Sequence, residues 1–190
     1  MNPPGTGKGA ILLDGARYDD ALAWLYERYP SDQPWPLLVG TPYSQIADAG
    51  PILLPAAAGS STFHAWWHGS DLCSGLWLES RLELGELFRV LQRRVRILAP
   101  DKREFWLRFA DARPMRNAWA AGARWPEGFW HGIDSVWLHH EHAPICSWRN
   151  QAPHLDCAPA DTGLSAQVTL DWPLLAALAH QDEATQEVEA

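Results

Sequence analysis

The residues with the clearest capacity for chemistry form a short stretch, His139-His140-Glu141-His142. Three further candidate ligands follow it, Cys146, His154 and Cys157. Imidazole and thiolate are good zinc ligands, but neighbouring side chains on a strand point to opposite faces, so His139 and His140 do not readily share one ion. Neither an HExxH motif nor a closed set of four Cys and His ligands can be written. A metal-dependent hydrolase that uses His139, His140, Glu141 and His142 remains an alternative. We favour the interpretation that these histidines simply lie at a strand end and in a polar loop and bind no metal.

The amino-terminal stretch PPGTGK at residues 3–8 resembles the start of a nucleotide-binding P-loop. The complete motif needs an earlier glycine and a hydroxyl after the lysine, and those places hold Asn2 and Gly9. An apolar run of strand type follows at residues 10–13, where a P-loop would open a helix. We therefore interpret residues 1–9 as a flexible leader and predict no nucleotide cofactor.

A third candidate is Asp111, which lies between Arg108 and Arg113. Two neighbouring guanidinium groups keep a carboxylate ionised, whereas a general base benefits from the opposite shift of its pKa. The pattern favours a structural ion pair. No GxSxG motif is present either, so a nucleophile-elbow hydrolase lacks its marker. We therefore name no catalytic or cofactor-binding residues.

The elements that would position these residues belong to one α/β domain, a mixed central sheet with helices packed on it and a short carboxy-terminal extension. The predicted strands lie near residues 10–14, 35–40, 51–54, 75–79, 96–99, 104–110 and 134–139. Helices are expected after Asp19 or Asp20, after Ser61 or Thr62, over 82–96, over 113–121 and after Asp171. Residues 141–165 are expected to be mostly loop.

Charge and composition limit the function classes. The 190 residues carry a net charge of −8 and three widely spaced cysteines, which predicts free thiols. No run of about 18 apolar residues is present, so we predict a soluble cytoplasmic protein with no membrane contact. Residues 81–124 hold 11 of the 15 basic residues against five acids. A nucleic-acid-binding module is therefore a second alternative.

Several short segments, in this order and spacing, resemble the domain of unknown function 4123, a family of effector chaperones or adaptors of type VI secretion. They are LLDGAR at 12–17, YSQI at 43–46, GPILL at 50–54, SGLWLES at 74–80, the helix at 82–96, LRFADAR at 107–113 and the strand at 133–138. The resemblance implies an adaptor domain at 10–140. The remainder lies outside the resemblance, and its residue pattern predicts a loop and helix extension at 141–180 and an acidic tail at 181–190. Ala112 departs from the family pattern, in which proline follows the aspartate.

The resemblance also implies a function. Such proteins bind a toxic effector and help mount it on the spike protein, usually VgrG, without being catalysts. We therefore expect a cognate effector and VgrG as partners, no cofactor and no nucleic acid. Twelve tryptophans agree with a partner surface, where Trp is enriched.

Five residues are candidates for contact with the effector. An exposed Trp66 or Trp67 could supply an apolar anchor, because adjacent tryptophans cannot both face one side of a helix. Arg89, Arg93 and Arg96 step by four and three, which would place them on one polar helix face able to attract an acidic effector segment.

Overall fold

The structure of the chain is a computed structural model that describes residues 8–161 and 163–180. The acidic tail at 181–190 lies outside the described residues, as does the P-loop-like stretch apart from Lys8. Of the leader predicted at residues 1–9, Lys8 and Gly9 are described, and Gly9 opens the first strand.

Within the described residues, six strands form the main sheet and two more form a separate hairpin. In chain order the strands are β1 Gly9–Asp14, β2 Trp35–Pro36, β3 Pro51–Pro55, β4 Leu76–Ser80, β5 Arg96–Leu98, β6 Glu104–Trp106, β7 Ile133–His140 and β8 Ala143–Arg149. The main sheet has the order β2-β3-β1-β4-β7-β8, and each neighbouring pair is antiparallel. The predicted α/β domain with helices on a central sheet is confirmed, although the strands are antiparallel and not of mixed direction.

Five α-helices are described: α1 Ala21–Arg28, α2 Ser61–Trp67, α3 Leu84–Gln92, α4 Ala112–Ala120 and α5 Trp172–Ala179. Side chains cap four of them by accepting a hydrogen bond from the first turn, namely Asp20, Ser60, Asp111 and Asp171. The caps at Asp20 and Asp171 agree with the sequence prediction, whereas Ser60 replaces the expected Ser61 or Thr62. No helix in the described part of the chain is both long and apolar enough to cross a membrane.

The central strands bury both of their faces, so the domain has three layers. On β1, Leu12 faces a core built with α3, α4 and α5, whereas Ile11 and Leu13 face a second core built with α1 and α2. This two-residue period is that of an extended strand. Trp77 and Trp137 belong to the second core, which they share with Trp66 on α2. With Trp130, four of the twelve tryptophans are buried.

Two predicted strands are shorter than expected. The strand predicted at 35–40 is reduced to Trp35–Pro36, because the chain turns after it and Val39 donates its backbone N–H to the carbonyl of Pro36 (3.1 Å). The strand predicted at 104–110 ends at Trp106. Leu107 instead donates to the carbonyl of Val95 (2.9 Å). The expected alternation of apolar side chains through residue 109 therefore does not continue along one strand.

The edge strand β8 lies where a loop was expected. Glu141 and His142 join it to β7, and both have positive φ angles, 48° and 65°. Two left-handed residues are the backbone of a tight type I′ hairpin, whose usual sequence signal is Asn-Gly. Glu-His carries no such signal, so the residue pattern does not predict the turn. The register of the β7–β8 pair also shifts between Val136 and Trp137, so β8 does not show one regular alternation of side chains.

A fully buried arginine fixes the segment that follows β8. Arg94 donates hydrogen bonds to the backbone carbonyls of Val90 (2.7 Å), Gly128 (3.1 Å) and Phe129. It also donates to the carboxylate of Asp156 (2.6 Å), which pairs with Arg93 as well. A buried charge is tolerated when it is paired and its donors are satisfied, so this contact holds the chain around residue 156 against the end of α3.

We expect Arg94→Met to lower the free energy of unfolding by about 3–5 kcal/mol, because removing one partner of a buried ion pair leaves the other uncompensated. The matched control is Arg89→Met at an exposed position of α3. This substitution should change the free energy of unfolding by less than about 0.5 kcal/mol. Urea denaturation followed by circular dichroism measures both. Equal stabilities for the two variants would contradict the role given to Arg94.

Candidate functional site

A buried carboxylate brings together two segments that are distant in the sequence. Asp111, whose side chain is 2% exposed, accepts hydrogen bonds from the side chains of Arg113 (2.9 Å) and Arg108 (3.3 Å). The Arg17 guanidinium lies 3.8 Å from the same carboxylate. Arg108 also donates to Asp14 at the end of β1. We call Asp14, Arg17, Arg108, Asp111 and Arg113 the arginine cluster.

Local capping explains why the two carboxylates sit where they do. Asp14 accepts a hydrogen bond from Ala16 N (3.1 Å) and caps the short 3-10 helix Gly15–Arg17, while Asp111 caps α4 through Arg113 N (3.0 Å). Gly15 allows the segment at 44–50 to approach the end of β1, because a Cβ at residue 15 would lie 1.9 Å from the Asp48 carbonyl oxygen. The ion pairs of Arg108 with Asp14 and of Arg17 with Asp111 then hold the end of β1 beside the start of α4.

The environment of Asp111 determines its charge. Burial alone would raise its pKa, but the hydrogen bonds and charge of Arg113, with a further contribution from Arg17, outweigh burial and lower the pKa below its usual value. The side chain is therefore an ionised carboxylate at neutral pH, in agreement with the ion pair expected from the sequence.

The arginine cluster carries more positive than negative charge. Two carboxylates face three guanidinium groups, and Arg116 adds a fourth close by, donating to the carbonyl of His139 (3.2 Å). The side chains of Arg108 and Arg113 remain 57% and 58% exposed. Their orientation is set by the carboxylates beneath them, so they offer a pre-organised cationic pair to the solvent.

A groove of about 1220 Å³ opens beside this pair, and we call it the arginine groove. Its walls come from β6 and the following residues, from α4 and from α5, and its lining is mostly apolar. Leu107, Leu175 and Leu178 contribute to the lining, and Trp106 and Trp172 are 45% and 49% exposed. Large aromatic side chains at the surface of an apolar groove are a feature of binding sites.

The groove is held in shape by contacts of its walls. Trp106 packs edge-on against Tyr43, with 4.8 Å between ring centroids. The Arg96 guanidinium lies over the Trp106 ring, 5.8 Å from its centroid. Leu98 exchanges backbone hydrogen bonds with Val168 (2.8 Å) and Leu170 (2.9 Å), which leads the chain into α5 beside the hairpin. The groove thus belongs to the folded frame and not to an isolated loop.

The predicted tryptophan anchors lie elsewhere. Trp66 is completely buried, donates its indole N–H to the carbonyl of Gly75 (3.1 Å) and packs on His139. Trp67 is half-buried and stacks on Phe63 at 5.6 Å. The expectation of an exposed Trp66 is wrong, because α2 packs its apolar face on the sheet. A part for Trp67 in partner binding stays a prediction.

The predicted arginine face is also divided. Arg89 is exposed on α3, but the helix ends at Gln92, so Arg96 lies on β5 and cannot share its face. Arg93 donates to the carbonyl of Ala158 (2.6 Å) and to Asp156 (3.0 Å). Arg96 pairs with Glu104 and lies near the arginine groove. The common face expected from the spacing is therefore wrong, although binding by any one of these arginines remains a prediction.

The histidine-rich stretch is divided between the two faces of β7, as strand geometry requires. His139 is buried, and its Nε2 lies 2.7 Å from the carbonyl oxygen of Trp66, to which it donates. Burial lowers the pKa of His139 despite this hydrogen bond. His140 packs near Trp119 instead. Among residues 8–161 and 163–180, no three His, Cys, Asp or Glu side chains are grouped to hold a metal ion.

Sequence reasoning missed the two exposed tryptophans of the groove, Trp106 and Trp172. Trp172 directly follows the cap of α5, a position that predicts only a helix start. Trp106 falls with Arg108 on the mixed face of a predicted strand, and nothing in its neighbours indicates the packing against Tyr43. Arg108 and Arg113 were noted, but only as partners of Asp111.

We expect the free energy of unfolding to decrease as the pH is lowered and Asp111 becomes protonated. Its folded pKa lies below the ordinary 3.8, so the unfolded chain takes up the proton first and the stabilisation, complete above that value, is lost as pH falls through the folded pKa. Asp111→Asn keeps a capping side chain but removes the charge, and should cost about 2 kcal/mol at pH 7 with a shallower pH dependence.

Urea unfolding at pH values from about 5 to about 2 measures this dependence. The control is Asp19→Asn at an exposed site. An Asp111→Asn variant that loses stability with pH as steeply as the unchanged protein would contradict the assignment.

Comparison with known proteins identifies the family. The model described as Domain of unknown function (DUF4123) matches residues 11–125, which include both carboxylates of the arginine cluster. Searches of curated proteins and of solved structures each found no match. The match covers more than half of the chain, and we conclude that the chain belongs to the DUF4123 family.

Proposed function

We propose that this protein is a non-enzymatic adaptor that binds a toxic effector of a type VI secretion system and helps load it onto the VgrG spike. The observation that carries the proposal is membership of the DUF4123 family, whose members resemble such adaptors. Loading would take place in the cytoplasm of the producing bacterium.

The surface supports a binding role. The arginine groove combines an apolar floor, exposed Trp106 and Trp172, and the charges of Arg108 and Arg113. Protein interfaces draw most of their binding energy from Trp, Tyr and Arg side chains of this kind. The groove is larger than the roughly 300–1,000 Å³ of pockets that enclose small ligands, which favours a macromolecular partner.

The two alternative functions, a nucleic-acid-binding module and a metal-dependent hydrolase, receive less support. Several arginines of the basic region at 81–124 are engaged within the protein, Arg93 and Arg94 with Asp156 and Arg96 with Glu104. Arginines that are paired with carboxylates in this way have less charge to offer to a phosphate backbone. For the hydrolase, the ring nitrogen Nε2 of His139 is occupied by the Trp66 carbonyl.

The proposal is tested by co-expressing the tagged chain with the effector and VgrG encoded beside its gene. We expect the effector to be retained in stoichiometric amount and VgrG to join the complex, while an effector from another locus is not retained. In the producing strain, deletion of the gene should abolish delivery of the cognate effector only, and re-expression should restore it. A folded chain that retains neither protein, or an unchanged delivery after deletion, would refute the proposal.

A further inference from the structure

We propose that the arginine groove is the docking surface for an acidic amphipathic helix of the partner protein. Carboxylates of that helix would meet Arg108 and Arg113, and its apolar side chains would enter between Trp106 and Trp172. The inference rests on the proposed function only for the identity of the partner.

Charge complementarity determines the sign of the charge that the occupant carries. The carboxylates of Asp14 and Asp111 are already paired beneath the exposed guanidinium groups, and the arginine cluster with Arg116 keeps an excess of positive charge. An added carboxylate would therefore receive hydrogen bonds from groups that are already oriented, at little cost in side-chain entropy. A basic segment would be repelled.

The shape and lining of the groove determine the kind of occupant. Two helices, α4 and α5, form its walls, and Leu175 and Leu178 from successive turns of α5 line it. A groove of this form accepts the apolar face of a helix, with anchors spaced by three or four residues. Aromatic rings at the rim supply contact area at low entropic cost.

Other occupants fit less well. Nucleic acid would need cations along the whole groove, whereas the lining is mostly apolar and the two exposed arginines, Arg108 and Arg113, come from one short segment. A second copy related by a twofold axis would place this patch against itself, and the carboxylates of that patch, Asp14 and Asp111, are already paired with arginines. The chain's own acidic stretch at 182–190 carries four acids but Val188 as its one large aliphatic residue, which leaves the apolar lining without partners.

The test uses a synthetic 20-residue helical peptide with Glu on one face and Leu on the other, and a control peptide in which every Glu is Lys. Fluorescence anisotropy with the full chain should show binding of the Glu peptide that weakens with added salt, and no binding of the Lys peptide. Trp172→Glu should weaken binding of the Glu peptide at least about tenfold, since it removes an anchor and adds a repelling charge. Glu in the first turn of a helix is favourable, so this variant should fold.

Arg113→Gln should weaken binding of the Glu peptide and reduce its salt dependence, whereas Arg89→Gln and Tyr26→Glu, at exposed positions outside the groove, should leave the affinity unchanged. Equal affinity of the groove variants and these controls would overturn the inference. Tighter binding of a single-stranded oligonucleotide than of the Glu peptide would also overturn it in favour of nucleic acid. Binding seen only after truncation at His180 would assign the groove to the chain's own tail.

The two proposals fail separately. If the effector co-purifies but the Glu peptide does not bind, the groove inference is wrong and the adaptor function stands. If the Glu peptide binds in the groove and the effector is not retained, the adaptor function is wrong and the docking surface stands.

Discussion

The ionised carboxylate of Asp111 is the constraint on which the functional surface depends. It is almost completely buried, and burial of a charge is costly unless cations and hydrogen-bond donors surround it. Arg17, Arg108 and Arg113 meet that need from two distant segments. Because they do so at the end of β1 and the start of α4, the stabilising ion pairs also set the direction of the guanidinium groups that reach the solvent.

The main sheet supplies the rigid frame for this arrangement. Its central strands are packed on both faces, so the end of β1 has little freedom to move. One wall of the arginine groove, α4, lies within the residues matched by the family model, whereas α5 lies beyond them. The backbone contacts of Leu98 with residues 168 and 170 and the buried pair of Arg94 with Asp156 attach that later part of the chain to the domain.

Local signals predicted much of the fold. Asp20 and Asp171 precede apolar periodic runs and cap the expected helices, and the apolar runs at β1 and β3 form central strands. The strand β8 could not be predicted, because its hairpin uses Glu141 and His142 in a conformation that usually takes Asn-Gly. Arg94 could not be distinguished from its neighbours, since its burial depends on carbonyl groups more than 30 residues away. The burial of Trp66 could not be predicted either, because it depends on the surface against which α2 packs. The separation of Arg96 from Arg89 and Arg93 depends on where α3 ends, which the spacing of the arginines does not show.

We propose that a partner protein docks in the arginine groove. Hydrogen–deuterium exchange of the full chain, with and without its cognate effector, tests this claim most directly, because it locates the protected backbone without any substitution. We predict slower exchange in β6, α4 and α5 on effector binding, with α1 and α2 on the opposite layer unchanged. Protection confined to α1 and α2, with none in the walls of the groove, would contradict the account.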